Sequence, residues 1–173
     1  MPLAESEPAK ERPRPNIRCI GGDIVSLEES PGGIVERGST QNGIVIRFSN
    51  DAKPSAQNVG APVKASLRYL DGDIELCAIT GCYWIGHYED FATFQVEGRY
   101  KLLAGMLING TLTLLAKRRI NAHRRTYFDV ETHPLKNFQA GTLVVRLTNA
   151  DNGDWLFERH FAVNVSPLTI EPL

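Results

Sequence analysis

The stretch that decides the fold is residues 100–118, which read YKLLAGMLINGTLTLLAKR. Asn109-Gly110 stands between two apolar runs, and this dipeptide is the strongest short signal for a two-residue hairpin turn because both turn positions need a positive φ. We therefore expect two antiparallel strands, 100–108 and 111–118, joined by a tight turn.

The register of this hairpin predicts which apolar side chains share a face. The predicted cross-strand pairs are Ile108 with Thr111, Leu107 with Leu112, Gly105 with Leu114 and Leu103 with Ala116. The face assigned to the core carries Leu103, Leu107, Leu112 and Leu114. The opposite face carries Leu102, Met106, Ile108 and Leu115, and it is too apolar to face solvent.

Two covers fit this second face. A second copy of the chain could bind it, which predicts a homodimer through the 100–118 hairpin. Alternatively the segment 20–37 could cover it from within the chain by supplying an extra strand, using Ile24, Val25, Leu27, Ile34 and Val35. We favour the internal cover, because a chain of 173 residues has residues to spare for it.

A second hairpin is predicted at Asp71-Gly72. Its register places Tyr69 opposite Ile74, Leu67 opposite Leu76, and Ala65 opposite Ala78. The other face pairs Arg68 with Glu75 in an exposed ion pair. The apolar phases of both strands agree in this register, which supports it.

A third hairpin is predicted near the C-terminus, with its turn at residues 149–154. Leu143, Val145 and Leu147 share the core face of the first strand. The return strand continues one phase through Trp155, Phe157, Phe161, Val163 and Val165. Arg159 falls in this phase, which indicates a bulge or an edge position there.

The rest of the chain also alternates with a period of two and is interrupted by Gly, Asn and Asp, and no stretch has a convincing helical period. The predicted fold is therefore all-β, an antiparallel sandwich of two sheets with little helix. The predicted strands are 23–27, 34–37, 43–49, 62–70, 73–80, 82–86, 92–97, 100–108, 111–118, 126–132, 142–148 and 155–165.

Composition bounds the function classes. Nineteen Lys and Arg against 20 Asp and Glu give a net charge of -1, which argues against a broadly basic nucleic-acid binder. No apolar run is long enough for a membrane helix. Three cysteines without a secretory signal predict reduced thiols and a cytoplasmic location.

The domain organisation follows from proline and charge. Four of the ten prolines lie in the first fifteen residues, among charges, so residues 1–18 are predicted to be a disordered segment or linker. Residues 19–173 are predicted to form a single β-sandwich domain.

The run from Leu135 through Gly141-Thr142 into an alternating strand resembles the approach to the penultimate strand of fibronectin-type-III and related immunoglobulin-like domains. The resemblance covers residues 135–165, and Val144 stands where that family usually has a tyrosine. It implies an immunoglobulin-like sandwich with a binding or spacer role and no catalysis.

No catalytic, metal or cofactor motif is present in the sequence. His87, His123, His133 and His160 lack metal-ligand spacing. The acidic segments 71–73 and 151–154 fit hairpin turns better than calcium loops, since calcium needs six to eight oxygen ligands. We therefore predict a protein that is not an enzyme and binds no cofactor.

Two segments contain candidate binding residues. The run 117–125 has five cations, including Arg118, Arg119, Arg124 and Arg125, and either forms an anion-binding patch or, as we favour, a solvated loop. Residues 83–91 contain four aromatics. Alternation places Trp84 in the core and leaves Tyr83, His87 and Tyr88 as the candidate exposed set.

Two functional hypotheses follow. The first is a non-enzymatic immunoglobulin-like interaction or spacer domain with an unknown protein partner. The alternative is a carbohydrate-binding sandwich, which requires two or three coplanar exposed aromatics drawn from Tyr83, Trp84 and Tyr88. An enzyme with a site assembled from distant loops is a weaker third hypothesis.

Overall fold

The computed structural model describes residues 14–37, 41–54 and 60–173. Within these ranges the chain forms twelve β-strands and no helix. The strands are β1 Ile17–Ser30, β2 Gly33–Val35, β3 Gln41–Asn50, β4 Ala61–Asp71, β5 Ile74–Thr80, β6 Ala92–Phe94, β7 Arg99–Ile108, β8 Thr111–Ala122, β9 Arg125–Pro134, β10 Ala140–Asn149, β11 Trp155–Val165 and β12 Leu168–Pro172.

The strands form two antiparallel sheets. The first has the order β2-β1-β3-β7-β8-β9, and the second has the order β12-β11-β10-β4-β5, with β6 paired to the start of β4. The chain passes between the sheets after β3, after β6 and after β9, and residues 81–85, between β5 and β6, also bridge to β7 and β8 of the first sheet. This confirms the predicted all-β fold of two antiparallel sheets.

The main core lies between the sheets and is rich in aromatic rings. Trp84 is fully buried there, as predicted, and it packs edge-on against Phe48 and Phe94 with ring centroids 5.9 and 5.3 Å away. Such edge-to-face pairs stabilise a core beyond the area they bury. Trp84 therefore belongs to the structural core.

The pairing predicted for the 100–118 hairpin is confirmed next to the turn and is wrong further from it. Ile108 pairs with Thr111 and Leu107 with Leu112, but the ladder ends at Met106 and Thr113. Residues 81–85 then lie between β7 and β8. The N–H of Leu103 donates to the carbonyl of Tyr83 at 2.9 Å, and the N–H of Lys117 donates to that of Gly81 at 2.7 Å. The predicted pairs Gly105–Leu114 and Leu103–Ala116 are therefore absent.

The face assignment changes at Gly105. The β3–β7 register shifts there, since Ile44 pairs with Gly105 and Val45 with Leu103. One extra residue in a strand moves every side chain beyond it to the opposite face of the sheet. Leu102 consequently lies in the main core and Leu103 on the second face, the reverse of the prediction, whereas the other six predicted positions are correct.

The second face is covered from within the chain. Leu27 at the end of β1, Ile34 of β2 and the ring of Tyr83 pack on it. The resulting buried cluster is Leu27, Ile34, Val45, Tyr83, Leu103, Met106 and Leu115. The homodimer predicted through the 100–118 hairpin thus loses the exposed face on which it rested. Of the five predicted covering residues, Val25, Leu27 and Ile34 pack on this face, whereas Ile24 is exposed and Val35 is half-buried outside the cluster.

The register predicted for the second hairpin is wrong. Asp71 pairs directly with Ile74, and a bulge follows before Tyr69 pairs with Cys77. The extra residue places Ile79 in the core in place of the predicted Ala78, and Ile74, next to the turn and opposite the exposed Asp71, is 67% exposed. The expected ion pair still forms, with Arg68 Nε 2.6 Å from Glu75 Oε1.

The third hairpin has its turn at residues 149–154, as predicted. A bulge between Leu147 and Thr148 in the β10–β11 register leaves Trp155 55% exposed, so its predicted core position is wrong. Phe161 is buried on the predicted face. Arg159 lies on β11 before the part that pairs with β12, which makes it the predicted edge position.

The two lateral sides of the fold differ. On one side β1 lies against β12, so closely that a Cβ on Gly22 would meet the Ile170 side chain at 2.9 Å. On the other side stand β5 and β9. Strand β1 begins at Ile17, two residues before the predicted domain start, and its Arg18 pairs with Asp51 at 2.7 Å. Residues 1–13 of the predicted linker lie outside the described residues.

Candidate functional site

Tyr83 was predicted to be exposed, and this is wrong. Only 4% of the residue is accessible, and β2 passes so close to its hydroxyl that a Cβ on Gly33 would lie 2.5 Å from the phenolic oxygen. The phenolic oxygen accepts a hydrogen bond from the N–H of Ile34 at 3.0 Å. Tyr83 therefore holds β2 in place and is not available to a ligand.

His87 is half-buried beside Tyr100, with 5.9 Å between ring centroids. Burial lowers the pKa of the His87 imidazole below its ordinary value, although Glu89 partly opposes this. Burial therefore favours the neutral form of the ring, which lies beside Tyr100 at the side of the core.

Tyr88 is the exposed member of the predicted aromatic set, with 56% of the residue accessible. Its ring meets Phe128 of β9 edge-on, with centroids 5.4 Å apart. Its hydroxyl oxygen accepts a long hydrogen bond of 3.4 Å from the N–H of Phe128. Tyr88 thus lies over the edge of β9.

Lys117 connects these aromatic residues, although it is not among the candidate binding residues predicted within the run 117–125. Its Nζ lies 4.4 Å from the centre of the Tyr83 ring and 5.7 Å from that of Tyr88, and it donates to the Tyr88 carbonyl at 3.1 Å. Burial lowers the pKa of the Lys117 amine. The period-two pattern of the 111–118 strand could have placed Lys117 on the same face as Leu115.

The predicted cationic run is not one patch. Arg119 Nη2 contacts the buried carboxylate of Asp90 at 3.0 Å, and Lys64 reaches the same carboxylate at 3.3 Å. Arg118 lies on the opposite face of β8 and pairs with Glu131 at 3.5 Å. The run therefore provides separate structural ion pairs.

The last part of the run forms a turn in place of the predicted loop. His123 and Arg124 both have a positive φ, which is the backbone of a two-residue hairpin turn. Arg124 is exposed at its tip, and Arg125 begins β9. Strand β8 extends to Ala122, beyond its predicted end.

Strand β9 is the most regular edge in the described part of the chain. Its ten residues pair with β8 without a register shift, from Thr113–Pro134 to Ala122–Arg125. No described strand pairs with its other side. A long regular edge of this kind offers a row of backbone donors and acceptors to another strand.

The direction of the free N–H groups follows from two hydrogen bonds. The N–H of Leu135, just past β9, points toward β8 and donates to the Leu112 carbonyl. The N–H of Phe128 points away from β8 and donates to the Tyr88 hydroxyl. Alternate residues of a strand direct their N–H to the same side. The outward amides of β9 are therefore Thr126, Phe128, Val130 and Thr132, which we call the β9 edge.

An open groove of about 310 Å³ lies beside the β9 edge. Leu76 and Cys77 of β5 form one wall, and residues 132–138 form the other. Burial raises the pKa of the Cys77 thiol, so it is protonated at pH 7. Four exposed large apolar side chains lie on the two flanking strands: Ile74, Leu76, Tyr127 and Val130.

Two further arrangements bear on function. The aromatic platform required for carbohydrate binding does not form, since Trp84 and Tyr83 are buried and Tyr88 alone of the three is exposed. In residues 14–37, 41–54 and 60–173, no three His, Cys, Asp or Glu side chains lie together as metal ligands would. The same residues contain no helix of the length and apolarity needed to cross a membrane.

No protein-family model, curated protein or solved structure matches the chain.

Proposed function

We propose that this protein is a non-enzymatic protein-interaction domain that binds an extended segment of polypeptide by strand addition to the β9 edge. The observation that carries the proposal is the uninterrupted ten-residue ladder of β9, with a free side among the described residues. Main-chain hydrogen bonds provide the affinity in this mode of recognition, and pockets for alternate side chains provide the specificity.

The other lateral strands are poorer acceptors of a new strand. A bulge interrupts β5 between Glu75 and Cys77, and bulges twist an edge away from pairing. At the other end of the first sheet β2 has only three residues, and β1 and β12 lie against each other. The β9 edge combines length, regularity and an adjacent groove, which favours it as the binding element.

The groove suggests where specificity resides. An added strand would direct every second side chain toward the groove, where Leu76 is exposed and the otherwise buried Leu135 and Phe138 line the floor. His133 and Lys136 provide polar ones. A bound segment with alternating apolar residues fits this lining best.

The alternative of carbohydrate binding has lost the aromatic platform that it required. The immunoglobulin-like resemblance and the cytoplasmic location stay predictions. A reducing location is compatible with the three free thiols, of which Cys82 is buried and the other two are half-buried.

The proposal is tested with a displayed library of random peptides selected against the full chain. Val130→Pro removes one outward amide of the β9 edge while leaving the bonds to β8 intact, because proline is tolerated on an edge where its nitrogen faces solvent. Selected peptides should bind the natural chain and Val130→Ala, which keeps the amide, and should fail to bind Val130→Pro.

Two measurements keep this test independent of folding. Val130→Pro should melt near the natural chain, whereas Asp129→Pro, whose amide faces β8, should melt lower because it removes a ladder bond. In the natural chain, peptide binding should slow hydrogen exchange at the Thr126 and Val130 amides. Selected peptides that bind all variants equally and leave these amides unprotected would refute strand addition at β9.

A further inference from the structure

The β9 edge is complementary to itself. In an antiparallel pairing of two copies, the register that places Phe128 opposite Phe128 of the second copy also places Thr126 opposite Val130 of the second copy. Both of these pairs use outward amides, so each can form main-chain hydrogen bonds across the new ladder. The strand therefore meets the geometric condition for pairing with its own copy.

Charge complementarity distinguishes this register. It brings Arg125 opposite Glu131 of the second copy, and by symmetry Glu131 opposite Arg125 of the second copy. These residues occupy the sites without hydrogen bonds, where side chains on opposite strands lie closest. Arg125 is exposed, and 43% of the Glu131 side chain is accessible, so both can reach across the new ladder. In its own chain Glu131 pairs with Arg118 at 3.5 Å, and its carboxylate would then contact two guanidinium groups.

The neighbouring registers of the same parity are less favourable. Sliding the pairing one way places Asp129 opposite Asp129 of the second copy, and like charges directly opposite destabilise a sheet. Sliding it the other way pairs only residues 125–129 of each copy, against residues 125–131 in the favoured register. The favoured register therefore pairs more residues than the second alternative and, unlike the first, does not place Asp129 opposite Asp129 of the second copy.

Tyr88 is the one described group that competes for the central amide. Its hydroxyl accepts from Phe128 at 3.4 Å, near the outer limit for a hydrogen bond, and its ring is largely exposed. A strand carbonyl at ordinary distance would replace this acceptor. The Tyr88 ring would then pack beside the two Phe128 rings on the outer face of the joined sheet.

We infer that the occupant of the β9 edge is a second copy of this chain, paired antiparallel about Phe128, so that the two first sheets form one continuous sheet. This inference rests on the proposed function and names its partner. It differs from the dimer predicted from the sequence, because the surface is the edge of β9 and not a face of the 100–118 hairpin.

Sedimentation equilibrium of the full chain over a wide range of concentration tests the inference. The natural chain should dimerise. Arg125→Glu and Glu131→Arg should each weaken the dimer about tenfold, because each replaces two attractive pairs by two repulsive ones. The double variant should restore it, since the pairs reform with exchanged signs. Asp151→Arg, which makes the same charge change as Glu131→Arg in the β10–β11 turn, should leave it unchanged.

Two further variants address the backbone. Val130→Pro should abolish the dimer, because it removes an amide from the new ladder. Tyr88→Phe should tighten it severalfold, because the competing acceptor is gone while the ring is kept.

The outcomes separate the two proposals. Suppose that the chain is a monomer at every concentration but library peptides bind it and fail to bind Val130→Pro. The inference of a second copy would then be refuted, and strand addition to the β9 edge would be supported. A dimer that is insensitive to the charge exchange and to Val130→Pro would refute both the proposed register and the β9 edge as the dimer interface. A monomer that also selects no such peptides would overturn both proposals.

Discussion

Tyr83→Phe tests whether β2 is held down by the buried phenol. The substitution removes one oxygen and keeps the ring, which retains its place under β2 and beside Lys117. The lost oxygen is the acceptor for the N–H of Ile34 at 3.0 Å. It lies so close to β2 that a Cβ on Gly33 would meet it at 2.5 Å. The N–H of Ile34 would therefore face a phenyl ring and find no acceptor there.

The magnitude follows from this loss. A buried donor left without an acceptor costs roughly 1–3 kcal/mol, while the ring contacts are unchanged. If β2 opens locally instead, the same free energy appears as faster hydrogen exchange at the Ile34 amide, by roughly 5- to 150-fold at 1.4 kcal/mol per tenfold change. Urea unfolding measures the first quantity, and amide exchange by NMR measures the second.

Tyr88→Phe is the matched control. It also removes one phenolic oxygen, but from an exposed ring whose hydrogen bond is 3.4 Å long, so in a solution dilute enough for the chain to be monomeric its free energy of unfolding should change by less than about 0.5 kcal/mol. The reasoning would be refuted if Tyr83→Phe had an effect as small as this control and left the exchange of the Ile34 amide unchanged.

Three further predictions concern packing, charge and thiol burial. Gly141→Ala should lower the free energy of unfolding by about 3 kcal/mol or more, because its Cβ would collide with the Leu70 carbonyl oxygen, whereas Gly32→Ala, with open space around it, should have little effect in the same urea titration. Glu36→Gln should destabilise the chain at pH 7, because Arg47 and Lys101 hold the pKa of the Glu36 carboxyl below its ordinary value of 4.5. The difference in melting temperature between the natural chain and this variant should shrink as the pH falls through the lowered pKa. A difference that is constant with pH would contradict this. Cys82 should resist iodoacetamide in the folded chain, because burial raises the pKa of its thiol, and peptide mass spectrometry should find it alkylated only after denaturation.

The candidate site was only partly predictable. The aromatic segment 83–91 and the cationic run 117–125 do meet in space, through Tyr88, Lys117 and Arg119. Their roles differ from the prediction, because Arg119 is committed to the buried Asp90 carboxylate. The β9 edge itself was not predicted, since an edge is defined by which strand lies next to it, and a sequence pattern within one strand carries no record of its neighbours.

The sequence by itself determined the all-β class, the two-residue turn at Asn109-Gly110 and the approximate limits of most strands. Each of these depends on residues near one another in the chain: a period of two marks a strand, and Asn-Gly accepts the positive φ that the turn requires. The placement of Trp84 in the core follows from the same alternation.

Three features were decided only by the tertiary structure. They are the faces that Leu102 and Leu103 occupy, the position of residues 81–85 between β7 and β8, and the contact of β2 with Tyr83. The exchange of Leu102 and Leu103 arises from a bulge, and a bulge adds one unpaired residue whose position depends on the neighbouring strand. Because side chains alternate with every residue, a single such insertion reverses all faces beyond it, and pairing with strands distant in the chain selects where it occurs.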